Sequence, residues 1–135
     1  MSIELQRRLL KDKITQVSKD SFDSLALDIF RFQAKYNPLY ASFISYLNID
    51  YFKITAAQQI PFLPIQFFKN HLIQTGNWEA ETIFSSSGTT GNKTSRHYVK
   101  EESFYLENTV RGFEAFYSNP YEYCTLALLP SYLER

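Results

Sequence analysis

Thr82-Ile83-Phe84-Ser85-Ser86-Ser87-Gly88-Thr89-Thr90-Gly91-Asn92-Lys93-Thr94-Ser95-Arg96-His97-Tyr98-Val99 is the stretch on which the reading of this chain turns. An apolar, strand-like segment enters a run of hydroxyl residues, and His97-Tyr98-Val99 leaves it with strand character. Two of the chain's four glycines, Gly88 and Gly91, stand inside that run. Glycine lets the backbone come close to a ligand and adopt dihedrals closed to other residues. Backbone N–H groups, hydroxyls and one ammonium gathered in a loop are suited to holding phosphate. Strand, loop, strand is the expected local fold. Ser86, Ser87, Gly88, Thr89, Thr90, Gly91, Lys93 and Thr94 are the candidate phosphate ligands.

Upstream, the first strand is expected over Glu79 to Phe84, after a turn at Gly76-Asn77. Before it, Ile60-Pro61-Phe62-Leu63-Pro64 cannot be regular helix, because each proline biases its predecessor toward extended backbone. Pro64 is expected to open a short helix through Lys69. The N-terminal part reads as three helices. Ile3, Leu10, Ile14 and Val17 recur at helical spacing behind a Ser2 cap, and a second helix starts near Ser21. A third follows Asn37-Pro38, with Asn37 as cap and Pro38 in the first helical position, and ends near Asn48. Downstream, Glu101 to Tyr117 reads as a helix offering Phe104, Tyr105, Val110, Phe113 and Phe116 for burial. Thr125 to Leu129 reads as a buried strand stopped by Pro130. The expected class is α/β, α+β within this chain: a helical region at 1–58 and a region at 59–135 that carries the loop, together a single partial domain.

Composition narrows the partners. Fourteen acidic and fourteen basic residues cancel, and no basic block marks a nucleic-acid surface. The one cysteine, Cys124, excludes an internal disulfide and fits a reducing, cytoplasmic compartment; in its apolar surroundings it reads as a buried structural thiol. No run approaches the ~20 apolar residues of a membrane span. Twelve Phe and ten Tyr either fill a ring-rich core or line a surface that something covers.

The common nucleotide P-loop, G-x-x-x-x-G-K-[ST], is a poor fit: the glycines are too close, Asn92 precedes Lys93-Thr94, and a strand rather than a helix follows. Arg96 reads either as a brace for phosphate or as a strand-surface residue. His97 reads as strand surface, His71 as structural, and Glu101-Glu102 as a favourable first helical turn rather than magnesium ligands. No metal site is assigned.

Ser86 to Gly91 match S-[ST]-G-T-T-G, the phosphate-binding loop of the adenylate-forming enzymes, so the chain resembles that superfamily. Lys93 stands where the superfamily usually has proline, and Thr94 follows it, as in the phenylacetate-CoA ligase-like branch. Two further segments, Ile60 to Lys69 and Leu128 to Arg135, resemble those flanking the loop in acyl-protein synthetases of the LuxE type. The resemblance implies an incomplete piece of the large N-terminal domain of an adenylate-forming enzyme. It further implies ATP and Mg2+, a fatty acid or other carboxylic acid as substrate, and an acyl-AMP intermediate. A thiol acceptor, on a protein or on CoA, would then take the acyl group. Members of that family run several times longer, so the chain reads as an N-terminal fragment. It is expected to be inactive without the missing C-terminal portion and able to form a homodimer. An acyl-CoA ligase of the phenylacetate type is one alternative, and a non-catalytic, aromatic-rich interaction module is another.

Overall fold

Three helices open the chain: α1 (Ile3–Thr15), α2 (Phe22–Tyr36) and α3 (Pro38–Tyr46). The computed structural model describes residues 1–86 and 94–126, which divide between two compact units, Met1–Glu101 and Glu102–Arg135.

Helix ends follow local chemistry. The Ser2 hydroxyl caps α1 by accepting from the Leu5 N–H at 3.3 Å, with Glu4 in the first turn and Lys13 in the last, each where the helix dipole favours its charge. Ser21 precedes α2 but does not cap it with its side chain; its hydroxyl turns back to accept from the Ser18 N–H at 2.9 Å. Asn37 serves two helices. Its N–H closes α2 on the Gln33 carbonyl at 2.9 Å, its Oδ1 accepts from the Tyr40 N–H at 3.1 Å, and Pro38 begins α3. The end of α3 is a Schellman motif: Asn48 is left-handed (φ 55°), its N–H reaches the Ser45 carbonyl, and the Ile49 N–H reaches the Ile44 carbonyl.

The core of the first unit lies where α2 crosses α3. Phe30 and Ala34 pack on Tyr40 and Ile44, with Phe43, Ile49, Ile54, Ile60 and Leu63 around them. Phe30 and Tyr40 meet edge to face at 6.1 Å, a favoured aromatic geometry. Loops close the rest. A 3-10 turn at Ala57–Gln59 precedes the extended 60–64 segment, and a turn at Ile65-Gln66 leads into a one-turn helix, α4 (Phe67–Asn70). Gly76 takes φ 77°, donates to the Tyr36 carbonyl at 2.9 Å and lies against Ile3 of α1. Beside it the Trp78 indole N–H donates to the Thr75 carbonyl at 2.9 Å, and the Arg7 guanidinium donates to the same oxygen.

The sheet has two antiparallel strands, β1 (Thr82–Ser85) and β2 (Arg96–Val99), with Thr82 opposite Val99 and Ser85 opposite Arg96. Strand β1 begins three residues later than Glu79, because β2 ends at Val99. The Glu81 N–H still donates to the Val99 carbonyl at 2.9 Å, but among the described residues Glu79 and Ala80 face no strand.

In the second unit, α5 (Glu102–Tyr117) stops where Ser118 adopts φ 67°, and the Asn119 side chain then caps a 3-10 turn at Pro120–Glu122. Phe113 packs against Tyr117 and Tyr123, at 5.0 and 5.6 Å between ring centres. Two expectations are corrected here. Helix α5 buries no side chain: Phe104 is half-buried, while Tyr105, Val110, Phe113 and Phe116 are exposed. Cys124 is exposed rather than buried, and Thr125 and Leu126 form no strand, Leu126 being 90% exposed. Nothing among the described residues of this unit packs over that segment. Positions 127–129 of the expected strand, and the segment Leu128 to Arg135, lie outside the described residues.

Helices and a small antiparallel sheet together make a mixed α+β fold. Among the described residues no helix is long and apolar enough to cross a membrane.

Candidate functional site

The two strands bring the ends of the Ser/Gly/Thr loop together. Ser86 and Ser95 face each other across its base. The Ser86 N–H donates to the Ser95 carbonyl at 3.1 Å, while the Ser86 hydroxyl oxygen accepts from the Ser95 N–H at 3.1 Å and the Ser95 hydroxyl at 3.0 Å. Ser95 is buried. Of the candidate ligands, Ser86 thus acts at the loop's base, with its oxygen already engaged by Ser95. Ser87, Gly88, Thr89, Thr90, Gly91 and Lys93 lie outside the described residues.

Arg96 and Tyr98 alternate along β2, whose twofold period places them on one side, and Thr94 precedes the strand by two residues. All three line a pocket of about 260 Å³, whose other wall is α4 and its exit, Phe68 to Leu72. The wall is held by rings. Phe68 stacks on His97 at 4.6 Å with the planes 22° apart, and Phe67 contacts both Phe43 (5.9 Å) and His71 (5.3 Å). His97, read from sequence as strand surface, is half-buried and works as a packing plate between β2 and α4. The pocket therefore joins Arg96 to Lys69 and His71, two residues that the sequence alone leaves apart from the site. Nothing in local spacing links them, because the link is the Phe68–His97 stack.

The pocket's electrostatics are one-sided. No carboxylate lines it, and neither Lys69 nor Arg96 is ion-paired among the described residues. Two fixed positive charges, an imidazole, the Thr94 hydroxyl and the Asn70 amide suit an anion. Glu101 and Glu102, the acids nearest in sequence, are engaged elsewhere: Glu101 pairs with Lys11, and Glu102 opens α5.

A second concavity adjoins the first. A groove of about 630 Å³ runs between α1, α2 and the 60–63 segment, lined by Ile14, Val17, Leu25, Ile29, Phe62 and, at its border with the polar pocket, Phe68. Its polar lining residues are spent internally. Asn37 bonds to Tyr40 and Gln33, and the Tyr40 hydroxyl donates to the Pro61 carbonyl at 2.6 Å. Burial pushes the Tyr40 phenol up to about 12, so it remains neutral. The groove thus offers an apolar wall to whatever occupies it.

Among the described residues no cluster of His, Cys, Asp or Glu could hold a metal ion. Comparison with known proteins found no family model, no curated protein and no solved structure that matches this chain.

Proposed function

We propose that this chain is the loop-bearing N-terminal part of an ATP-dependent acyl-activating enzyme of the acyl-protein synthetase kind, working in the cytoplasm. One observation carries the reading: the S-S-G-T-T-G run, Ser86 to Gly91, sits between two paired strands whose outgoing member leads into a cationic, carboxylate-free pocket. Activating a carboxylate requires its oxygen to attack the α-phosphorus of ATP. Positive charge must then stabilise both the crowded anions and the departing pyrophosphate. Arg96 and Thr94 have the chemistry to bind those oxygens. The adjoining apolar groove supports a substrate with a hydrocarbon tail. Mg2+ would arrive held largely by the nucleotide's phosphates, as this ion commonly is, so a dedicated carboxylate cage is not required. The acyl group would then pass from acyl-AMP to a thiol of a protein or of CoA, with AMP as the leaving group.

The test is pyrophosphate exchange into ATP in the presence of long-chain and aromatic acids, on this chain and on the full product of its reading frame. The expected result is no exchange by residues 1–135 alone and acid-dependent exchange by the full product, abolished by Gly88→Val. Robust turnover by the chain alone refutes the fragment reading, and no exchange by either refutes the enzyme class. The second reading, an interaction module, draws on the exposed aromatic side chains of α5. It leads if the full product neither binds ATP nor exchanges pyrophosphate.

A further inference from the structure

We infer that Lys69 and His71, on α4 and its exit, are phosphate ligands that complete with Arg96 and Thr94 a subsite for a polyphosphate anion beside the loop. The inference rests on the phosphate-loop reading for the identity of its ligand, and on the pocket's own construction for its place.

The side chains of Lys69, His71 and Arg96 are exposed, and three features argue that together they make a site. First, the cations come from elements 25 residues or more apart in sequence, yet line a single concavity of about 260 Å³. Second, the two walls are locked together by a ring stack, Phe68 on His97, and the His71 ring is itself set by contact with Phe67. That packing sets the two walls and the His71 ring in place, which lowers part of the ordering cost of binding. Third, the charge is uncompensated. No carboxylate lines the pocket that Lys69 and Arg96 face; elsewhere the lysines at 11, 13, 53 and 100 pair with carboxylates, and Arg8, Lys19 and Lys35 have no ion pair among the described residues. A chain of zero formal net charge thus places two cations in a concavity that no carboxylate lines.

The donor types select the anion. Arg96 presents a planar fork, Lys69 a compact ammonium, His71 a ring N–H and Thr94 a hydroxyl, arrayed on opposite walls. A planar carboxylate would satisfy the fork alone, whereas tetrahedral phosphate oxygens project toward both walls. The ligand class is a phosphate chain, either the terminal phosphates of a nucleotide or free pyrophosphate.

Calorimetric titration of the 135-residue chain with pyrophosphate and with ATP, at fixed ionic strength, tests this. Lys69→Ala and His71→Ala are each expected to weaken pyrophosphate binding about tenfold, the scale of one lost charge-assisted contact. Lys53→Ala, which removes the same charge elsewhere on the surface, is expected to leave it unchanged. Circular dichroism of each variant checks that the fold is intact. Tighter binding of ATP than of pyrophosphate identifies the nucleotide as the source; equal binding identifies the free anion, with the subsite upheld in either case. Pyrophosphate binding that survives both pocket substitutions but is lost in Gly88→Val overturns the subsite and leaves the loop reading standing. Absence of binding of both probes to the unaltered chain overturns the subsite, while the loop reading is decided separately by pyrophosphate exchange in the full product.

Discussion

The hydroxyl oxygen of Ser86 accepts from both the backbone N–H and the hydroxyl of Ser95, so one serine oxygen ties the two ends of the glycine/threonine loop. Ser95 is buried, so its donors have little solvent to fall back on. Removing the acceptor strands both. Ser86→Ala is expected to lower stability by about 1–2 kcal/mol, the cost of leaving buried donors unsatisfied. Urea denaturation measures this, and faster amide exchange at Ser95 would locate the loss at the loop's base. Unchanged exchange there would show that the serine pair does not hold the hairpin.

Two glycines should respond to alanine with opposite signs. Gly76 sits at φ 77°, and a Cβ there would lie 2.5 Å from the Ile3 Cδ1. Both the backbone conformation and the contact oppose a side chain, so Gly76→Ala is expected to destabilise by about 1–3 kcal/mol. Gly112 lies inside α5, and a Cβ added there would meet nothing within 4 Å. Gly112→Ala should therefore stabilise that helix by about 0.5–1 kcal/mol. Thermal melts of both variants decide the matter; a shared sign would contradict the assignment of strain to one site and open space to the other.

Alkaline pH should loosen the α2–α3 core through Tyr40. Burial raises its phenol from 10 to about 12, so the folded state holds the proton that the unfolded chain releases first. Its contribution is fully present below pH 10 and declines as pH rises from 10 through about 12. Denaturant midpoints across that range are expected to fall more steeply for the unaltered chain than for Tyr40→Phe. At neutral pH the same variant should lose about 1 kcal/mol, because the Pro61 carbonyl forfeits its donor. Parallel pH profiles would rule Tyr40 out.

At the acid end the sensitive group is Glu4. The Lys100 ammonium first, and the Arg7 guanidinium second, hold its carboxyl below the ordinary 4.5. The stabilisation is present above pH 4.5 and is lost as pH falls through the lowered folded value. Glu4 is exposed, so the effect is small and screened by salt. Carboxyl NMR titration should show the Glu4 midpoint rising in Lys100→Met, and in the unaltered chain at high salt. A midpoint indifferent to both would mean the pair does not form in solution.

Where sequence and structure agree, the cause is local. Ser2, Asn37-Pro38 and Asn48 act through hydrogen bonds to residues three to five positions away, so the helices they bound can be read from short windows. Ser21 misleads at the same scale, because Ser18 competes for its hydroxyl. Other features depend on distant partners. The start of β1 is set by where β2 stops. The apolar composition around Cys124 reads as core, but the described part of the second unit holds no layer to cover Thr125 and Leu126. Arg96 is legible as a candidate because it follows the loop. Lys69 and His71 are not, since only the stacking of Phe68 on His97 brings α4 to that strand.

The Thr75 carbonyl receives the indole N–H of Trp78 and the guanidinium of Arg7 at once, and Trp78 is the chain's single tryptophan. The protein therefore carries a built-in fluorophore wired to the seat of α1. Emission followed during unfolding reports when the first helix lifts away, while the ten tyrosines dispersed through the chain report the whole. Two optical channels in an unlabelled protein would thus separate departure of the N-terminal helix from collapse of the Phe30–Tyr40 core.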